Sequence, residues 1–257
     1  MNINWQLILV LFCLCIPGTV IATKRLIYFL LPNNSEKLKK RISRFAILQT
    51  LVMVLLMCCA GTIISKNTGL NAPILEALLE GKAGISTLIP IIFPTMLYSL
   101  LGLIVFCVFY YSLANRCIDK KSLHIMAKLR IALGIDGCIL YGGIVEEIIA
   151  RWGLLNLAVF FALIFTKQPS TLIIWLSIFI SGILFAVGQL PAYIAAGCTS
   201  NRSFIYSFIF LSLYQSVFFG YLFWQYGLIC SVLAHMLFHL GWALYDRTLD
   251  HPIQNSL

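Results

Sequence analysis

The sequence predicts an all-α fold: a polytopic membrane protein, built as a bundle of seven or eight transmembrane helices. Of its 257 residues, 61% are hydrophobic and 11% charged, where a soluble domain carries about a quarter charged. Apolar runs near the ~20 residues that cross a bilayer recur along the whole chain. Charges inside or beside these runs are few, and three of them, Glu146, Glu147 and Arg151, fall close together. An ionisable group at bilayer depth costs roughly 2.5 to 3.5 kcal/mol, so this cluster must face protein rather than lipid.

The first run, 4–22, lacks a basic leader and is followed by Lys24 and Arg25, which reads as a retained anchor rather than a cleaved signal. Pro17 and Gly18 mark a point where it can kink. The second run, 44–65, follows the basic group Lys37, Lys39, Lys40, Arg41 and Arg44, whereas the loop at 66–87 holds only Lys66 and Lys82. That loop reads as a plain connection. Its stretch 73–81 has the alternative of a short interfacial helix, because Ile74, Leu75, Leu78 and Leu79 share one helical face and Glu76 and Glu80 another. After the third run, 88–111, come Arg116, Lys120, Lys121, Lys128 and Arg130, then the fourth run at 131–150. The run 153–166 either extends the fourth span or forms a separate short helix, and the count of seven or eight turns on it. The last three runs are 171–190, 204–224 and 228–245.

The net charge of +9 is concentrated in the two basic loops. It is a positive-inside signal that puts both loops in the cytoplasm and the N-terminus outside. The partner it implies is the lipid bilayer, not nucleic acid; the clusters read as a topology determinant only, with contact to anionic headgroups as the alternative. Nine cysteines without C-x-x-C spacing read as packing residues. The chain end at 254–257 has no prenylation box. No repeat or long loop divides the chain, so 1–257 is one membrane domain.

On a helix that advances about 100° per residue, Glu147 and Arg151 are i and i+4 neighbours that can pair. Glu146 points elsewhere and is the carboxylate left free for chemistry. Asp136, about three turns earlier, reads as structural. Gln189 sits in a small-residue segment, 181–192, that allows close helix approach, where it can serve as an interhelical hydrogen bonder. Pro191 marks a helix boundary there. His235 and His239, at i and i+4, lie about 40° apart on one face, and their imidazoles can converge on one point.

Three ordered segments on separate spans resemble the motifs of the CPBP family, the CAAX-protease and bacteriocin-processing intramembrane proteases also labelled Abi. Glu146, Glu147 and Arg151 match its E-E-x-x-x-R; Phe185 followed by Gln189 matches its F-x-x-x-H except for the last residue; His235 and His239 match its H-x-x-x-N with a second histidine in the place of asparagine. The resemblance covers about 130–245 and implies a catalytic core there, in a helical bundle that encloses an intramembrane polar cavity. It implies an intramembrane endopeptidase in which Glu146 activates water, Arg151 holds Glu147, and His235 stabilises the oxyanion. It also implies a membrane protein or lipidated peptide as substrate, no cofactor, and the cytoplasmic membrane of a bacterium.

Gln189 departs from the family where proton transfer is expected, since an amide hydrogen-bonds but does not shuttle a proton. Three other readings follow. An inactive relative would bind a membrane partner or confer bacteriocin immunity. A metalloprotease would gather zinc with His235, His239 and Glu146, although Met236 stands where H-E-x-x-H has its glutamate. A transporter would use the buried charges as a path, but no inverted repeat is visible.

Overall fold

A computed structural model of the chain describes residues 3–248, so the chain end at 254–257 lies outside the described residues. Among the described residues the secondary structure is helical with no strand. The elements are α1 (Trp5–Leu30), α2 (Glu36–Thr68), the short α3 (Pro73–Leu79), α4 (Ser86–Cys117), α5 (Lys120–Thr166), α6 (Thr171–Ala195), α7 (Arg202–Tyr226) and α8 (Leu228–Thr248). All but α3 are long and apolar enough to cross a membrane. Their outward faces carry side chains such as Phe93 and Phe165, 72% and 86% exposed, an apolar surface that suits lipid and not water.

Helix starts are set by side chains that accept from otherwise unpaired backbone amides: Ser35 for α2, Asp119 for α5, Ser170 for α6 and Asn201 for α7. Helix α2 ends at Gly69, whose φ of 75° is the left-handed turn that glycine adopts without penalty.

Helix α5 is the axis of the bundle. Its middle turns, Cys138–Glu146 and Ile148–Leu155, are wound wider than an α-helix, as π-helix. The first of these lies against α1 and α8, the second against α2, α6 and α7. Missing side chains allow this closeness. A Cβ at Gly18 of α1 would sit 2.5 Å from the Leu140 carbonyl oxygen, and one at Gly61 of α2 would collide with Trp152. One apolar core, including Leu11, Val54, Val145, Trp152 and Phe223, surrounds α5; a second, including Phe106, Phe208, Phe219 and Phe238, fills the space between α4, α7 and α8.

The run 153–166 continues α5 and does not form a separate helix, giving seven long helices among the described residues. At about 1.5 Å per residue a straight rod from Lys120 to Thr166 would reach roughly 70 Å, twice the hydrocarbon thickness. The rod is not straight: Gly134 breaks it with φ 72° and ψ 165°. Arg25 clamps the break, donating to the Leu133 carbonyl at 2.5 Å and to the Asp136 carboxylate. Asp136 is thus structural, as the sequence indicates. Its side chain is nonetheless 53% exposed, although the residue falls inside the fourth apolar run.

Two further expectations are corrected. The stretch 73–79 is helical, with Pro73 in the first turn, where its missing amide costs nothing. Leu75 is buried, Leu79 and Ile74 pack on the two cores, and Leu78 stays exposed. Pro191 does not end α6, which runs on to Ala195. Neighbouring helices and the local turn tolerate a proline inside a membrane helix. Close packing on α6 occurs at Gly182, against Ser216, and not at Gly188, which meets nothing.

Candidate active site

The six polar residues singled out in the sequence separate into two groups. Glu146, Gln189 and His239 line one cavity of about 130 Å³, whereas Glu147, Arg151 and His235 are buried outside its lining. The wide turns of α5 place the adjacent carboxylates on different neighbours.

In the cavity, Gln189 Nε2 donates to Glu146 Oε1 at 2.8 Å, joining α6 to α5. A carboxylate held through one oxygen keeps the other for a further partner. His239 lies close enough to α5 that a Cβ at Gly142 would collide with its imidazole, and its Nε2 has no hydrogen-bond partner among the described residues. The remaining wall comes from the second half of α4, the first half of α7 and the first half of α5, including Tyr110, Gln215, Arg130 and Cys138. Helices α4, α6 and α8 contribute their C-terminal halves, and α5 and α7 their N-terminal halves up to Glu146 and Gln215, just past the middle of each. The cavity therefore lies toward the end of the bundle that carries the basic connection around Arg116, Lys120 and Lys121.

In the buried group, Glu147 is fully enclosed and its carboxylate meets three groups. Arg151 Nε is 3.5 Å from Oε2, an ion pair without hydrogen-bond alignment, and Arg151 Nη2 donates instead to the Gln215 carbonyl at 3.0 Å. His235 Nδ1 is 2.7 Å from Oε1. Ser231 Oγ bonds Oε2 and also lies 3.0 Å from the Phe219 carbonyl. The rings of Phe219, His235 and His239 form one stack, with centroid separations of 4.1 Å and 4.7 Å. The other ring nitrogen of His235, Nε2, has no hydrogen-bond partner among the described residues. The two imidazoles share a face, as their spacing predicts, but they do not converge on Glu146. His239 reaches the cavity and His235 reaches Glu147.

Ser231 was invisible to sequence reading. A lone serine in an apolar span carries no signal, and only the i−4 spacing to His235 could have pointed to it. Replacing Ser231 by Ala removes one of three partners from a buried carboxylate and is expected to lower stability by about 1–2 kcal/mol. Thermal unfolding of the detergent-purified chain measures this.

Among the described residues no group of three His, Cys, Asp or Glu side chains is placed to hold a metal ion.

No curated protein and no solved structure gives a significant match to the chain. Residues 130–241 match the family model described as type II CAAX prenyl endopeptidase, Rce1-like. That stretch includes all six site residues, from the paired glutamates of α5 to His239 of α8, and its similarity to the Rce1-like CAAX endopeptidases agrees with the three sequence motifs.

Proposed function

We propose that this integral membrane protein is an intramembrane endopeptidase that hydrolyses a peptide bond of a membrane-associated protein or lipidated peptide, with Glu146 as the base and no cofactor. The observation that carries the reading is the 2.8 Å bond from Gln189 to Glu146 in a cavity shared with His239. It brings the first and second motifs together on a carboxylate with one oxygen to spare.

In the proposed reaction, water bound to the free oxygen of Glu146 loses a proton to it as the hydroxyl oxygen attacks the scissile carbonyl carbon. The C–N bond then breaks and the proton passes to the leaving amine, so that peptide and water become a carboxylic acid and an amine. Gln189 orients Glu146 through its NH₂ group, and its own carbonyl oxygen is an acceptor for the water. His239 supplies the imidazole that the second motif lacks, as a second proton-transfer group. Glu147, Arg151, His235 and Ser231 hold α5 and α8 in register behind the cavity. The positive-inside reading makes the cavity's end of the bundle cytoplasmic, which suits a substrate delivered from that side of a bacterial cytoplasmic membrane.

Gln189 also favours a second reading: an inactive relative that binds a membrane partner or confers bacteriocin immunity. Mapping new peptide termini in membranes that contain the wild type or Glu146→Ala at matched levels separates the two. Termini that vanish with Glu146 support the protease. Identical profiles from two folded proteins would leave the binding reading.

The exchange of histidine positions has its own test. His239→Asn is expected to lower cleavage about 10²-fold or more, the usual contribution of a proton-transfer group. Gln189→Ala is expected to lower it by no more than about tenfold, because water can replace a single hydrogen bond to the carboxylate. Cleavage that is indifferent to His239→Asn would remove the imidazole from the mechanism.

A further inference from the structure

The cavity wall holds a cation that this mechanism does not use. Arg130 of α5 is the one Lys or Arg among the residues lining the Glu146 cavity. It also lines a neighbouring space of about 280 Å³ between α5 and α8, which shares Arg130, Cys138 and His239 with the first. Arg130 therefore stands where the two spaces adjoin. Its guanidinium lies 3.9 Å from the centre of the Trp242 ring, with Tyr110 beside it. One nitrogen donates to Asp246 of α8, whose other oxygen accepts from the Tyr111 hydroxyl. Arg130 and Asp246 are 19% and 21% exposed, so the pair is neither sealed in the core nor open to bulk solvent.

Resting on the protease reading, we propose that Arg130 is a specificity residue that binds a carboxylate of the substrate, with Asp246 holding that carboxylate's place until substrate binds. A guanidinium has five N–H donors in a planar fork suited to a carboxylate, and Asp246 hydrogen-bonds one of its nitrogens. The stack on Trp242 fixes the plane of the fork and leaves its edge for an acceptor. Asp246 is itself a carboxylate, so exchanging it for a substrate carboxylate conserves charge in a partly desolvated place, where an unpaired ion is costly. A neutral substrate group would break one ion pair and form none. The cavity is small, so the carboxylate belongs within a few residues of the scissile bond. It is either the free C-terminus of the peptide or an acidic side chain.

Binding and cleavage of synthetic probes test this with the full chain in detergent. The probes are dye-labelled S-farnesyl peptides with three residues after the modified cysteine, made as C-terminal acid, as amide, and as amide with a glutamate in the last position. Binding is read by fluorescence anisotropy on Glu146→Gln protein, which does not consume the probe, and cleavage is read on the wild type. The acid is expected to bind about 10- to 100-fold more tightly than the plain amide, as charge-assisted bidentate bonds do. Arg130→Gln should erase this preference while leaving affinity for the amide within about twofold. Asp246→Asn should tighten binding of the acid, the opposite sign from loss of a structural ion pair. Rescue of the amide by glutamate identifies a side-chain carboxylate as the ligand; no rescue identifies the C-terminus. Equal binding of acid and amide, or an Arg130→Gln effect equal on all probes, would overturn the proposal. Arg130→Lys, which keeps the charge and loses the fork, should retain part of the preference and covers the case of an unfolded Arg130→Gln. A carboxylate preference without Glu146-dependent cleavage would leave this inference standing and remove the protease reading.

Discussion

Replacing Glu146 by Gln is expected to lower cleavage by about 10² to 10⁴-fold while leaving thermal unfolding at or slightly above the wild-type temperature. The two halves of this result have one cause. Glutamine has nearly the shape of glutamate and can hydrogen-bond Gln189 amide to amide, so the wall of the cavity keeps its packing. An amide oxygen has no useful basicity, so water is no longer deprotonated, and loss of a general base typically costs this much. Stability is spared because the deleted charge is one the fold must accommodate at expense: among the described residues Glu146 has one hydrogen-bond partner and no ion pair, and a desolvated carboxylate with so little compensation opposes folding. Single-turnover cleavage of a mapped substrate and a melting curve on the same preparation measure both halves. Cleavage within tenfold of wild type would show that Glu146 is not the base. A large fall in melting temperature would show that its role is structural.

The spans were legible because lipid imposes a length and a polarity on each, and the pairing of Glu147 with Arg151 was legible because both partners belong to one helix. What lay hidden was the identity of neighbours on other helices. Asp136 finds Arg25, and Arg130 finds Asp246, more than 100 positions away, and periodicity fixes the angle of a side chain on its own helix without naming what stands opposite. Pro191 misled because the rule for the residue before a proline assumes that a helix loses more than its surroundings return, and inside a bundle they return enough. The histidine pair misled differently. Its shared face was right, but a ring has two nitrogens, and which of them meets Glu147 is decided by where α5 passes α8. The wide turns from Cys138 to Leu155, which sort Glu146 from Glu147, had no visible mark in the sequence beyond the glycines that let α1, α2 and α8 approach. Such turns often accompany functional sites, and this is where the six residues collect.

The neighbouring carboxylate should behave in the opposite way to Glu146. Glu147→Ala is expected to destabilise the protein by about 3–5 kcal/mol, the usual cost of breaking a buried ion pair from one side. Arg151, 3% exposed, would keep only the Gln215 carbonyl as a hydrogen-bond acceptor. His235 Nδ1 would lose its partner, and Ser231 Oγ would keep only the Phe219 carbonyl. The yield of folded protein and its melting temperature should both drop, and activity with them, because α5 and α8 would lose their polar contact behind the cavity. This mechanism also predicts a rescue. Removing the stranded charge with Arg151→Met in the Glu147→Ala background should recover part of the loss, because an apolar side chain of similar length needs no counter-ion in that place. The four proteins form a double-mutant cycle read by thermal unfolding in one detergent. A double variant no more stable than Glu147→Ala alone would mean that the cost lies in the His235 and Ser231 contacts. A Glu147→Ala variant as stable as wild type would mean that the buried cluster does not hold the bundle together.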